Sequence, residues 1–243
     1  MSANPLHQFE IKEIIPFEAF GVNLAFTNSS LFMLLTVVVT TVLMVLPMRG
    51  ANLIPSRWQS LPELLYEFVQ GIIRDVIGQA GLKYMPLVFS LFMLVLIGNL
   101  LGMMPYGFTI TSHIVVTAAL GVLVILIVTV MGFVNHGFHF LSLFAPSGLP
   151  KVMYLILIPI EIISFLSRPI TLAVRLCANM TAGHTVLKVF AGFSVSMGVF
   201  FGLAPMLLNS MLVALELLVS VLQAYIFTIL TCVYLKDAIE LHH

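Results

Sequence analysis

The chain has 243 residues, 60% hydrophobic and only 8% charged, with a mean hydropathy of +1.14, whereas a soluble domain carries roughly a quarter charged residues. So little polar surface cannot cover a water-soluble core, and lipid must serve as solvent for most of the molecule, which makes it a polytopic membrane protein. Ten basic and ten acidic residues cancel to a net charge of +0, giving no global field for nucleic acid and leaving each charge to be read by its position.

The first twenty residues hold Glu10, Lys12, Glu13 and Glu18 without an apolar core after a basic start, which is not the pattern of a cleavable signal peptide. Residues 29–48 are uncharged and rich in Leu, Val and Thr, about the 20 residues that cross a ~30 Å hydrocarbon layer, and form the first expected span. Over 58–81 charges alternate with Leu61, Leu64, Leu65, Phe68 and Ile72 on one helical face. This pattern predicts an amphipathic helix on the membrane surface with Trp58 at the interface, Ser60 before Pro62 marking its start.

From Tyr84 to Pro150 there is no Asp, Glu, Lys or Arg. A Pro-Tyr-Gly turn at Pro105–Gly107 divides this run into spans at 85–104 and 113–134. Asn99, the amide of the first, is expected to make an interhelical hydrogen bond. Residues 151–190 and 195–240 each outrun a perpendicular span, since 40 residues at 1.5 Å rise make ~60 Å. Neither contains a polar loop, so two long helices strongly tilted as an antiparallel hairpin are predicted, with Pro159, Pro169 and Pro205 as candidate kinks. The predicted fold class is an all-α membrane protein with five transmembrane helices and one surface helix, forming a single membrane domain.

Orientation follows from the cations. Arg49, Arg57, Arg74 and Lys83 follow the first span, Lys151 precedes the fifth segment and Lys236 lies in the tail, while the N-terminal arm holds three acids and one Lys. The N-terminus is therefore expected outside and the C-terminus inside, with Lys188 as the exception. Cys177 and Cys232 lack any metal or redox spacing and are expected to be small buried apolar side chains.

Ionisable groups within lipid cost several kcal/mol each unless they face a partner or a water path. The last two segments carry Glu161, Arg168, Arg175 and His184 on one, Glu216 on the other, with Asn179 and Gln223 as neutral companions. Glu161, Arg168 and Arg175 recur at seven residues, which falls only ~20° short of two turns and puts them on one face. His184 lies nine residues beyond Arg175, ~900° round and thus on the opposite side. Arg175, among Leu172, Ala173, Val174 and Leu176, sits too deep to snorkel and is the principal functional candidate, whereas Arg168 before Pro169 suits a snorkelling end-of-span role as well. His184 and Glu216 suit either a satisfied pair or a proton relay.

The run from Arg168 to His184, Arg-Pro-Ile-Thr-Leu-Ala-Val-Arg-Leu-Cys-Ala-Asn-Met-Thr-Ala-Gly-His, strongly resembles the signature of subunit a (subunit 6) of the rotary F-type ATP synthases. Leu222–Lys236 is similar to that family's final helix, and Asn99-Leu-Leu-Gly-Met-Met-Pro105 and the Trp58-Gln-Ser-Leu-Pro-Glu helix match as well. The resemblance implies a membrane stator subunit whose last two helices curve round a ring of c subunits, with b-type peripheral stalk subunits and the remaining synthase subunits as partners, in a bacterial or mitochondrial inner membrane. It implies that Arg175 faces the ring carboxylate, that Glu161 lies near the inner half-channel and that Asn179 and Gln223 are polar neighbours of the arginine. Many bacterial relatives place an acid where this chain has His184 and a histidine where it has Glu216, so this chain carries the exchanged, mitochondrial-like pair.

No Gly-rich nucleotide loop is present, so ATP chemistry is expected on other subunits, and no cofactor or metal is expected here. A secondary transporter predicts an internal repeat, which the sequence lacks. A haem carrier predicts facing histidine pairs that His113, His136, His139 and His184 do not supply, since His136 and His139 fall in an apparent loop.

Overall fold

The computed structural model describes residues 11, 13–16, 18–19, 22–23, 25–50, 52, 55–104, 107–144 and 151–239. Glu10 and Lys12 of the arm, and Pro105 and Tyr106 of the expected turn, lie outside them. Ahead of the first helix are two minimal antiparallel pairings, Glu13–Ile15 with Phe26–Thr27 and Glu18–Ala19 with Val22–Asn23.

Helix α1 (Asn28–Met48) begins at Thr27, whose hydroxyl accepts the Ser30 N–H, and fills the first expected span. Helix α2 (Arg57–Val76) starts earlier than expected: Ser56, not Ser60, is the cap, its hydroxyl accepting the Gln59 N–H, and Pro62 lies within the helix. It also ends before residue 81, because Gly78 adopts φ +87° and the chain continues as a 3₁₀ segment, Gln79–Tyr84. The expected apolar face is divided along its length. Trp58, Leu61, Leu64 and Phe68 are exposed, Trp58 by 79%, whereas Ile72 is buried with Val69, Ile73 and Ile77 where α2 crosses its neighbours. Phe68 lies 5.8 Å from both Phe92 and Tyr225, ring to ring.

Helices α3 (Met85–Gly102) and α4 (Ile114–His136) occupy the next two apolar runs. His136 belongs to the last turn of α4 rather than to a loop, and its Nε2 lies 2.8 Å from the Ile239 carbonyl oxygen. The core centres on α3, whose Val88, Phe92, Met93, Val95 and Asn99 are almost wholly buried, packed with Ala224, Phe227, Cys232 and Leu235 of the last helix. Small residues permit close approaches that lipid alone would not drive. A Cβ on Gly121 of α4, for example, would lie 2.8 Å from the Pro169 carbonyl oxygen.

Helix α5 runs unbroken from Lys151 to Ser196 through Pro159 and Pro169. The chain reverses through Gly198, at φ +73°, and a single helical turn, Gly198–Phe201, before α6 (Leu203–Ile239). Pro205 is therefore no kink: it sits in the first turn of α6, where the N–H it lacks has no intrahelical acceptor anyway. The two helices run antiparallel, joined in sequence by Ser194 to Gly202 at 3.0 Å, His184 to Glu216 at 3.7 Å and Arg168 to Asp237 at 2.9 Å. Their 46 and 37 residues amount to ~69 and ~55 Å of helix. Among the described residues five helices are long and apolar enough to cross a membrane: α1, α3, α4, α5 and α6.

Candidate functional site

Glu216, on the buried face of α6, is only 5% exposed, and neither carboxylate oxygen has a hydrogen-bond partner among the described residues. Its Oε1 lies 3.7 Å from Nε2 of His184 on α5. A Cβ at position 183 would stand 2.5 Å from that oxygen, so glycine leaves room for the carboxylate in this position beside α5. The acid borders a cleft of about 200 Å³ between the two helices, lined also by Asn179, Gly183, Leu212, Leu215 and Val219. A buried carboxylate with vacant lone pairs beside an imidazole is suited to accepting and passing a proton.

The connection between α3 and α4 packs against α5 beside His184. Thr109 brings its hydroxyl to 2.9 Å from His184 Nε2. Cys177 Sγ donates to the Ser112 carbonyl at 2.9 Å, as Thr181 does at 3.3 Å. Cys177 is thus a half-exposed thiol with an acceptor rather than a buried apolar filler, because a polar group in a helix facing lipid seeks the nearest carbonyl; Cys232 is fully buried. Asn99 of α3 donates to the Ser220 carbonyl at 3.2 Å and accepts from Thr111 at 2.7 Å, tying α3 to α6 through the same connection. Gln223 is buried two turns from Glu216 on α6. His113 stacks on Phe108 at 4.9 Å.

Arg175 stands apart from this cluster. Leu172, Ala173 and Leu176 face inward, while Val174, Arg175 and Ala178 are exposed. Among the described residues none forms an ion pair or hydrogen bond with its guanidinium. Glu161 is half-buried near the start of the helix. Arg168, on the nominal Arg175 face, is instead half-buried and held by α6: it pairs with Asp237 at 2.9 Å and lies 5.0 Å from the Tyr234 ring centroid. Asp237, Thr109 and Gly183 were not singled out by sequence. Asp237→Asn is expected to loosen this end of the hairpin modestly. A double-mutant cycle with Arg168→Gln, followed by denaturant titration, should give a coupling of about 1 kcal/mol for a partly exposed pair; zero coupling would leave Asp237 without a structural role.

The ATP synthase A chain family model matches residues 30–236. The chain is 51% identical to ATP synthase subunit a of Paramagnetospirillum magneticum over 99% of this chain and 100% of that one. Against the subunit a of Mesorhizobium japonicum identity is 52%, and against that of Allorhizobium ampelinum 53%, each over 99% of this chain and 98% of the relative. With an apolar five-helix frame, a buried acid beside a half-buried imidazole and an exposed arginine on the same long hairpin, the chain belongs to the ATP synthase subunit a family.

Proposed function

We propose that this chain is the proton-translocating stator subunit of the membrane sector of an F-type ATP synthase, forming two half-channels against a rotating ring of small carboxylate-bearing subunits. Membership of the family makes it a membrane component of the synthase concerned with ion transport. The division of labour on α5 and α6 carries the finer reading: Arg175 is exposed and forms no ion pair among the described residues, while the buried Glu216 stands 3.7 Å from the half-buried His184.

A ring carboxylate is tolerated in lipid when protonated and must ionise to release its proton. A fixed cation at the stator surface favours the ionised form at that one place. Arginine serves because it stays protonated in any protein environment, so it cannot itself ferry the proton across and short-circuit the gradient. Protons enter from outside by way of Glu216, His184, Asn179 and Gln223, load the ring, travel with rotation and leave by an inner path near Glu161. The driving force is ~2.3 kcal/mol per charge per 100 mV.

In this reading α5 and α6 tilt well past the ~20° average of membrane helices, since ~69 and ~55 Å of apolar helix must be accommodated in a ~30 Å layer. The exposed face can then follow the side of a cylinder. The N-terminus lies outside and α2 rests on the inner surface, with b-type stalk subunits completing the stator. The test is purification of the intact membrane complex with Val174→Cys or Ala178→Cys in this chain. Cross-links to a small ring-forming proteolipid support the reading, and a complex without such a proteolipid overturns it.

A further inference from the structure

Thr109 is almost wholly buried, at 4% exposure, in the connection between α3 and α4. Its Oγ1 lies 2.9 Å from His184 Nε2 and 3.3 Å from the Gly102 carbonyl oxygen, to which it donates. Its own carbonyl accepts from the Ser112 hydroxyl at 2.7 Å, which fixes the residue from the other side. The geometry needs glycine at 102, because a Cβ there would meet Thr109 Oγ1 at 2.6 Å. The same imidazole nitrogen lies 3.7 Å from Glu216 Oε1. One ring nitrogen therefore looks at two oxygens, one of which can both donate and accept.

We infer that Thr109 is a positioning residue of the proton path, its hydroxyl serving Nε2 of His184 in both protonation states; this rests on the reading that His184 and Glu216 conduct protons. With an imidazolium, Nε2–H donates to Thr109 Oγ1 while the threonine's own proton goes to the Gly102 carbonyl. A closure of about 0.8 Å brings Glu216 Oε1 to hydrogen-bond length. The Nε2–H bond then breaks, an O–H bond forms on Oε1, and the positive and negative charges cancel. Nε2 is left with a lone pair, and the Thr109 hydroxyl turns about its Cβ–Oγ1 bond to donate to it. No proton leaves Thr109. A nitrogen held away from water without an acceptor in one state or a donor in the other would cost more than an ordinary hydrogen bond contributes; the hydroxyl lowers that penalty in both states, and by more in the imidazolium, whose bond is charge-assisted.

Among the described residues, the titratable groups on the elements that meet His184 are Glu216 from α6, Lys188 one turn on along α5 and His113 in the same connection as Thr109; α3 contributes none.

The test measures ATP-driven acidification of inverted vesicles carrying the assembled complex, across pH, for Thr109→Val, Thr109→Ser and Glu216→Gln. Thr109→Val keeps the shape and removes the hydroxyl; it is expected to cut flux about tenfold, the effect of one hydrogen bond, and to move the pH of half-maximal flux by about one unit, because the lost bond is stronger to the imidazolium than to the neutral ring. Thr109→Ser should retain more than half the flux and the native profile. Native flux and profile in Thr109→Val with a collapse in Glu216→Gln overturns this inference and leaves the path intact. Native flux in Glu216→Gln overturns the path and the inference with it. Equal loss in the Val and Ser variants with an unmoved profile means that Thr109 acts through shape alone, which also overturns the inference. Should Thr109→Val fail to assemble, Gly102→Ala displaces the hydroxyl instead; a moved profile supports the inference and an unmoved one overturns it.

Discussion

Arg175→Ala is expected to abolish ATP-driven proton pumping in vesicles that hold normal amounts of the assembled complex. The ring carboxylate, arriving at the stator surface, loses its fixed counter-charge and stays protonated, so no proton is released and no site is emptied for reloading. An unpaired charge at that depth costs several kcal/mol. At one decade per 1.36 kcal/mol, a penalty of about 4 kcal/mol lowers the rate by roughly a thousandfold, below detection in an acidification assay. The exposed setting of Arg175 makes this a sharp test, because none of the described residues relies on it for an ion pair or hydrogen bond, and its removal leaves the chain's internal packing in place. Arg175→Lys should fail as well: lysine deprotonates when desolvated and lacks the planar fork that meets a carboxylate with two bonds. Vesicles of Arg175→Ala that acidify at the native rate would sink the assignment.

The sequence discloses apolar spans because a hydrophobic run long enough to cross lipid admits few other conformations, and α1, α3 and α4 lie within a few residues of the expected 29–48, 85–104 and 113–134. Ends set by local backbone geometry are less legible. Gly78 at φ +87° stops α2 well short of residue 81, and nothing in the composition distinguishes it from Gly71 within the same helix. Pro205 illustrates a different ambiguity, since a proline signals a kink in mid-helix and a start in the first turn, and only the position of the reversal at Gly198 decides. That reversal also contains a signal the periodicity did not exploit. Reflecting α5 about residue 200 sets 184 opposite 216 and brings 168 close to Asp237, the two pairings of ionisable side chains described in the hairpin. Asp237, next to Lys236, reads instead as part of a charged tail. Thr109 is the least legible of all, because it lies in an aperiodic connection and acquires its role only when that connection folds against α5. Gly183 has a packing reason that appears only with Glu216 in place.

Glu216→Gln is expected to slow proton flux about a hundredfold, the lower part of the range for losing a positioned acid or base. Glutamine fills the space beside Gly183 and retains a hydrogen-bonding group, so the loss isolates proton exchange from packing. His184→Glu alone should be comparably impaired, since two carboxylates facing each other across this interface cannot both ionise. The exchanged protein, Glu216→His with His184→Glu, again sets one acid against one imidazole across the α5–α6 interface. Thr109 is placed to donate to a carboxylate at 184, and the absence of a Cβ at Gly183 leaves space for the imidazole at 216. Recovery relative to either single change should therefore amount to a coupling of about 2 kcal/mol, or roughly thirtyfold in flux, as for residues in direct contact. Vesicle acidification normalised to assembled complex measures it. Losses that simply add would mean that Glu216 and His184, although adjacent, do not exchange protons with one another, and the outer path would then have to reach the ring through only one of them.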